Sequence, residues 1–230
     1  DMERSTQAKL KLPLLVRQMD ESGTLAGSES TLAVNFDPDL VRLLREVKYF
    51  LLLGLSVPET ALTIYQKAET YRKQTGNLDL IVNKYNRVCM QMLPVEAPLL
   101  RKIMVKADAQ LQEGILKLDW KSTKIDKFIA DVAPGVTEAH DLLFTLKDNL
   151  KEVEGVLDGW AAEPMLQRKG KPVKPDEFEH QFKATKKAAF KAIADGGRSV
   201  DAMVKKSHAI LRVSKTQPDW LAYVDFVNST

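Results

Sequence analysis

Residues Ile125 to Trp160 read IDKFIADVAPGVTEAHDLLFTLKDNLKEVEGVLDGW. Within this stretch Ile125, Ile129, Val132, Val136, Ala139, Leu143, Leu146, Leu150, Val153, Leu157 and Trp160 step by four and three in unbroken alternation. A repeat averaging about 3.5 residues keeps these side chains on one stripe of an α-helix, so the spacing predicts roughly five heptads of a coiled-coil-like seam. Pro134 lacks an amide donor and crowds the carbonyl of Ala130, which predicts a kink or a short break there; two collinear pieces remain open.

A second stripe follows an expected loop over 161–175. Phe178, Phe182, Thr185, Ala189, Ala192, Gly196, Val200, Met203, Ser207 and Ile210 keep nearly the same rhythm over a similar length. Each helix would run roughly 50 Å at about 1.5 Å per residue. Two matched seams joined by a short loop bury one another when the chain folds back, so 119–215 is expected to form a long antiparallel helical hairpin. Ala189, Ala192 and Gly196 permit close approach. Pro218 to Val227 reads as the opening turns of a further helix over 216–230, truncated at Thr230.

Upstream, 35–118 reads as a bundle of shorter helices. Asp37 can accept from first-turn amides and Pro38 suits the first helical position; Leu40, Leu43, Leu44, Val47 and Leu51 then recur at helical spacing up to a stop at Gly54. Ser56 and Glu59 have the spacing of a capping box, opening a helix that carries Ala61, Ile64, Tyr65 and Ala68 and ends near Gly76. Another helix from about Asn77 aligns Leu78, Ile81, Val82, Tyr85, Val88, Cys89 and Met92. A fourth, from Pro94 to Gly114, aligns Leu100, Ile103, Met104, Ala107 and Leu111, and Ser122 is the expected cap of the long helix after it. Residues 1–34 form an irregular lead-in: Gly23, Gly27 and Ser28 to Thr31 read as loop, and Thr31 to Val34 as a short strand or an extended segment. The expected class is therefore all-α, consecutive helical bundles, elongated and rod-like.

Composition narrows function by exclusion. The chain has 230 residues, 34 Lys+Arg against 31 Asp+Glu, one cysteine and 44% hydrophobic residues. A chain of this length buries about 70% of its unfolded surface. Cys89 alone rules out an internal disulfide framework and a cysteine-rich zinc site, which fits a reducing, intracellular setting, and its place in an apolar stripe suits an inert thiol. The longest uncharged apolar stretch, Tyr49 to Pro58, falls far short of the ~20 residues a membrane span requires, and no signal peptide is expected. The absence of a starting Met and the cut final helix suggest a piece of a longer chain.

Charge is uneven. Residues 161–215 carry a net +7 and the first 160 a net −2, a balance that does not announce nucleic acid. Lys191, Arg198, Lys205 and Arg212 recur every seven residues nearly opposite the second seam, with Lys183 and Lys187 extending the line. These six are the candidate interaction residues, suited to an acidic partner or to the acidic microtubule surface. The plainer reading, a solvated face partly neutralised by neighbouring carboxylates, is favoured, since exposed pairs contribute only about 0–1 kcal/mol each. Arg168, Lys169, Lys171 and Lys174 in the loop are read with the same reserve.

Catalytic grammar is missing. His140, His180 and His208 have no metal-ligand spacing, and no phosphate-binding glycine loop, nucleophile elbow or dinucleotide fingerprint occurs. No catalytic residue, metal or cofactor is expected. Asn228-Ser229-Thr230 matches a glycosylation sequon by accident, and Trp120 and Trp160 read as core or hinge anchors.

Several clusters go further than physics. Val34-Asn35-Phe36-Asp37-Pro38-Asp39-Leu40, Leu44-Arg45-Glu46-Val47-Lys48-Tyr49-Phe50, Leu53-Gly54 and Val57-Pro58 are followed in order by Tyr85-Asn86 and Pro94-Val95-Glu96-Ala97-Pro98-Leu99. Then come Leu118-Asp119-Trp120-Lys121-Ser122, Phe128-Ile129, and Trp220 with Tyr223-Val224. Together they resemble the N-terminal tail region of dynein heavy chains from about Val34 to Val227, and the wording around Asn35 and Glu46 is more similar to the axonemal than to the cytoplasmic form. Ala133-Pro134-Gly135 and the first thirty residues depart from the pattern. The resemblance implies a helical tail segment that dimerises heavy chains, carries a WD-repeat intermediate chain and light chains, and anchors the motor to cargo or, in a cilium or flagellum, to the doublet microtubule or its docking proteins. It implies a cytoplasmic, cytoskeletal, axonemal location. ATP hydrolysis belongs to parts of such chains far from this one.

Overall fold

The computed structural model describes residues 2–18, 31–161 and 174–229. The order is α1 (Met2–Lys9), β1 (Leu15–Arg17), β2 (Leu32–Val34), α2 (Pro38–Leu52), α3 (Glu59–Gln66), α4 (Ala68–Gln91), α5 (Ala97–Leu116), α6 (Ile125–Ala161), α7 (Pro175–Leu211) and α8 (Pro218–Ser229). The described chain is thus mostly helical, with one small sheet in which β1 and β2 pair antiparallel, Leu15 opposite Val34 and Arg17 opposite Leu32. The stretch from Gly23 to Ser30 and residues 162–173 of the expected loop, with Arg168, Lys169 and Lys171, lie outside the described residues, as do the side chains of Leu157 and Trp160.

The chain divides into two units. The first takes Asp1–Leu93 and Leu100–Asp141, the second Pro94–Leu99 and Leu142–Thr230, so the division falls inside α6.

In the first unit α2 starts as its sequence dictates: Asp37 Oδ1 accepts from the amide of Asp39 at 2.7 Å, and Pro38 occupies the first turn. It ends on Gly54, whose φ of +68° is a conformation glycine adopts without Cβ strain. The amide of Leu55 donates to the Phe50 carbonyl at 2.9 Å and that of Gly54 to Leu51 at 3.2 Å, the pair of bonds that closes a Schellman turn. Leu40 and Val47 are buried, but Leu51, expected on the same face, is 44% exposed.

Three expectations of local structure fail for physical reasons. Pro58 caps α3 with no side-chain hydrogen bond, so Ser56 and Glu59 form no capping box; the helix starts at Glu59 itself. The break expected at Gly76 lies instead at Lys67, and α4 runs through the glycine because Tyr71, Gln74, Leu78, Ile81 and Val82 bury one face on both sides of it. That burial outweighs the ~1 kcal/mol a helical glycine costs. Likewise α5 passes Gly114, where the missing side chain has a packing reason: an added Cβ would stand 2.6 Å from Cζ of Phe128.

The long helix is continuous through Pro134. Pro134 has no amide to offer the carbonyl of Ala130, and one residue further on Gln110 Nε2 donates to the carbonyl of Asp131 at 3.2 Å, a tie from α5 beside the proline. Its buried positions among the described residues are Ile125, Phe128, Val132, Val136, Ala139, Leu143, Leu146, Asn149 and Val153. The 3.5-residue repeat holds in phase, but Phe128 and Asn149 are buried where Ile129 and Leu150 were expected, both of which are half-buried. The displacement at the start follows from the neighbours: this end of α6 faces α4 and α5, with Gln74 Nε2 donating to Asp126 at 3.2 Å and Lys84 Nζ to Thr137 at 3.1 Å.

Candidate interaction surface

Several of the clusters that carried the family resemblance sit where the first unit is held together. Trp120 is 2% exposed, its Nε1 donating to the carbonyl of Asn35 at 2.7 Å. The ring of Phe36 meets it edge-on at 4.8 Å and lies 5.7 Å from Tyr71. Asn86 clamps β2, accepting from the amide of Leu32 and donating to its carbonyl. Tyr85 donates to Asp108 at 2.5 Å, and burial, aided by that carboxylate, holds its hydroxyl well above the ordinary tyrosine range. These residues tie β2, α4, α5 and the turn that carries Trp120 to one another.

In the second unit Glu96 is the key group. Its side chain is 1% exposed and its carboxylate pairs with the Lys147 ammonium at 3.2 Å. Beside it Asn149 Nδ2 donates to Ser207 Oγ at 3.2 Å, a buried polar bond between α6 and α7, and the Ser207 hydroxyl also approaches Met203 Sδ. Tyr223 packs against Trp220, and burial pushes its hydroxyl pKa up. Leu99, Leu146, Val153, Met203, Trp220, Tyr223 and Val227 form the apolar cluster around this site. Asn149 was missed because the apolar repeat runs through Leu150 beside it, and a polar residue gives no signal of burial until its partner is known.

Pairing of Asn149 with Ser207 and of Glu152 with Lys206 runs down α7 as it runs up α6. On α7, Gly196, Met203 and Ser207 are buried, in the phase the sequence predicts, while Phe178 and Phe182 at its start are exposed at 53% and 42%.

The six candidate residues are all exposed. Lys183 pairs with Glu179 at 2.6 Å, and Arg198 pairs with Asp195. Lys187, Lys191 and Lys205 make no ion pair among the described residues. Arg212 lies beyond the last turn, in the left-handed region at φ 53°, its amide donating to His208; the line on the helix itself therefore stops at Lys205. Among the described residues no group of His, Cys, Asp and Glu could hold a metal ion, and no helix is long and apolar enough to cross a membrane.

Residues 1–128 match the family model for the dynein heavy chain, N-terminal region 1. The chain is 34% identical to the flagellar outer arm dynein beta chain of Chlamydomonas reinhardtii over 98% of its length, and 31% identical to the ciliary dynein beta chain of Tripneustes gratilla over 91%. It is 30% identical to dynein axonemal heavy chain 11 of Sus scrofa over 86%. It spans only 6%, 5% and 4% of those relatives.

Proposed function

Because the chain belongs to the dynein heavy chain family, we propose that it is a non-catalytic tail segment, a scaffold in the assembly of a microtubule-based motor of the axoneme. The match to the N-terminal region over residues 1–128 carries this reading. The full-length chain would be an ATP-driven motor of cilium or flagellum, and these residues would present helical faces to a WD-repeat intermediate chain, light chains and other heavy chains, and serve cargo or doublet anchoring. In the architecture that goes with it, 1–34 leads in, 35–118 forms a short-helix bundle, 119–215 an antiparallel hairpin and 216–230 opens a further helix. The descending pairs from Asn149 to Ser207 and from Glu152 to Lys206 support the hairpin. Co-purification with the intermediate chain tests the scaffold role, and an ATP-dependent turnover by this segment would overturn it.

A second reading is a direct microtubule-binding module, favoured by the unpaired, exposed Lys187, Lys191 and Lys205. It predicts salt-sensitive cosedimentation that is lost when Lys191, Arg198, Lys205 and Arg212 are changed to Glu. Unaltered pelleting of that variant rejects it.

A further inference from the structure

The basic line on α7 is not the surface most in need of a partner. The uncharged run Tyr49 to Leu55 ends α2, and its side chains are open to solvent: Tyr49 57%, Phe50 43%, Leu52 and Leu53 71% each, Leu55 52%. Successive residues of a helix point in different directions, so these side chains do not share one face, but Tyr49 and Leu51 both line a single groove. That groove, of about 880 Å³, lies between α2, α3 and α4 and is lined also by Val41, Leu44, Leu62 and Tyr71. This volume is near the upper end for a small-molecule site of ~300–1,000 Å³, and the groove is an open trough between helices, the form that receives the apolar face of another helix.

Charge selects the occupant. Arg45 and Lys48 stand on the α2 rim with no ion pair among the described residues, whereas on the α4 rim Arg72 is matched by Glu69 at 3.5 Å. The groove therefore carries an uncompensated positive edge. A second copy of the same surface would bring like charges together, which is unfavourable. We propose that this groove docks an amphipathic helix of a separate polypeptide, with apolar anchors at i, i+3 or i+4 and i+7 and acidic residues on the flank that meets Arg45 and Lys48. Tyr49 and Tyr65 supply the hydroxyl-bearing rim. The proposal goes beyond the scaffold reading, because it names a surface in the first unit that does not involve the basic residues of α7.

The test places a photoreactive amino acid at Leu51 of the full heavy chain in its assembled complex and identifies the cross-linked peptide by mass spectrometry. The expected product joins Leu51 to a helical segment of a different polypeptide with an excess of Asp and Glu. The yield should fall severalfold when Arg45→Glu and Lys48→Glu are introduced, and fall again as salt is raised. Both arginine and lysine are exposed, so the melting temperature of the double variant should not change, which separates lost docking from lost folding. A link to the same residues of a second heavy chain, to another part of the same heavy chain, to a basic segment, or no link in an intact complex would each overturn the proposal.

Discussion

Replacing Gly114 by Ala and, separately, Gly76 by Ala makes the same chemical change in two helix interiors of one unit, yet the structure predicts opposite signs. Alanine gains about 0.8–1 kcal/mol of helix propensity over glycine in either place. At Gly76 an added Cβ meets nothing within 4 Å, so that gain is kept, and Gly76→Ala should stabilise by about 0.5–1 kcal/mol. At Gly114 the methyl would lie 2.6 Å and 3.0 Å from two carbons of the Phe128 ring and 3.1 Å from Cδ1 of Leu15. Phe128 is only 5% exposed and Leu15 fully buried, so neither can swing into water. Overpacking of a closed core costs about 1–3 kcal/mol, which exceeds the propensity gain and leaves Gly114→Ala up to about 2 kcal/mol less stable than the parent. For a chain of this size 1 kcal/mol moves the melting point by about 2–4 °C, so thermal unfolding followed by circular dichroism should set the two variants several degrees apart. Adding Phe128→Leu should narrow the gap by making room for the methyl. A Gly114→Ala protein that melts at or above the parent would refute the argument that Gly114 is there for the approach of Phe128.

Other consequences follow from single groups. Lys147→Met leaves the Glu96 carboxylate buried without its cation; breaking a fully buried pair costs about 3–5 kcal/mol, and since Lys147 is itself 24% exposed about 2–3 is expected, largely recovered by adding Glu96→Gln, as denaturant titration would reveal. Asp37→Ala removes the acceptor at the start of α2 and should cost about 0.5–2 kcal/mol in the same titration. The raised pKa of Tyr85 means that the folded state keeps a proton the unfolded chain releases near pH 10. Its stabilisation is therefore whole below that value and declines as pH rises above it; Tyr85→Phe should unfold less steeply with alkali.

Much of the fold was legible because burial leaves a period. The 3.5-residue repeat from Ile125 to Val153 and the stripe from Leu78 to Cys89 locate core faces within one residue, and Asp37 and Gly54 mark both ends of α2. Boundaries set by tertiary packing were not legible: nothing local distinguishes Gly54, which ends a helix, from Gly76 and Gly114, which do not. The substitution of Phe128 for Ile129 in the seam depends on α5 having a glycine to receive the ring. As for the surface, Lys183 to Lys205 are exposed as their spacing suggests, but Leu51, placed by its spacing on the buried stripe of α2, is exposed too, since sequence records apolarity and not what covers it.

The scaffold role proposed for these residues in a dynein heavy chain requires that they bind its intermediate chain. Its most direct test is gel filtration of a heavy-chain fragment spanning this segment and its neighbouring helical bundles, together with the intermediate chain. Stoichiometric co-elution is the expected result. Separate elution of the two proteins, in every fragment that folds and contains the segment, would contradict it.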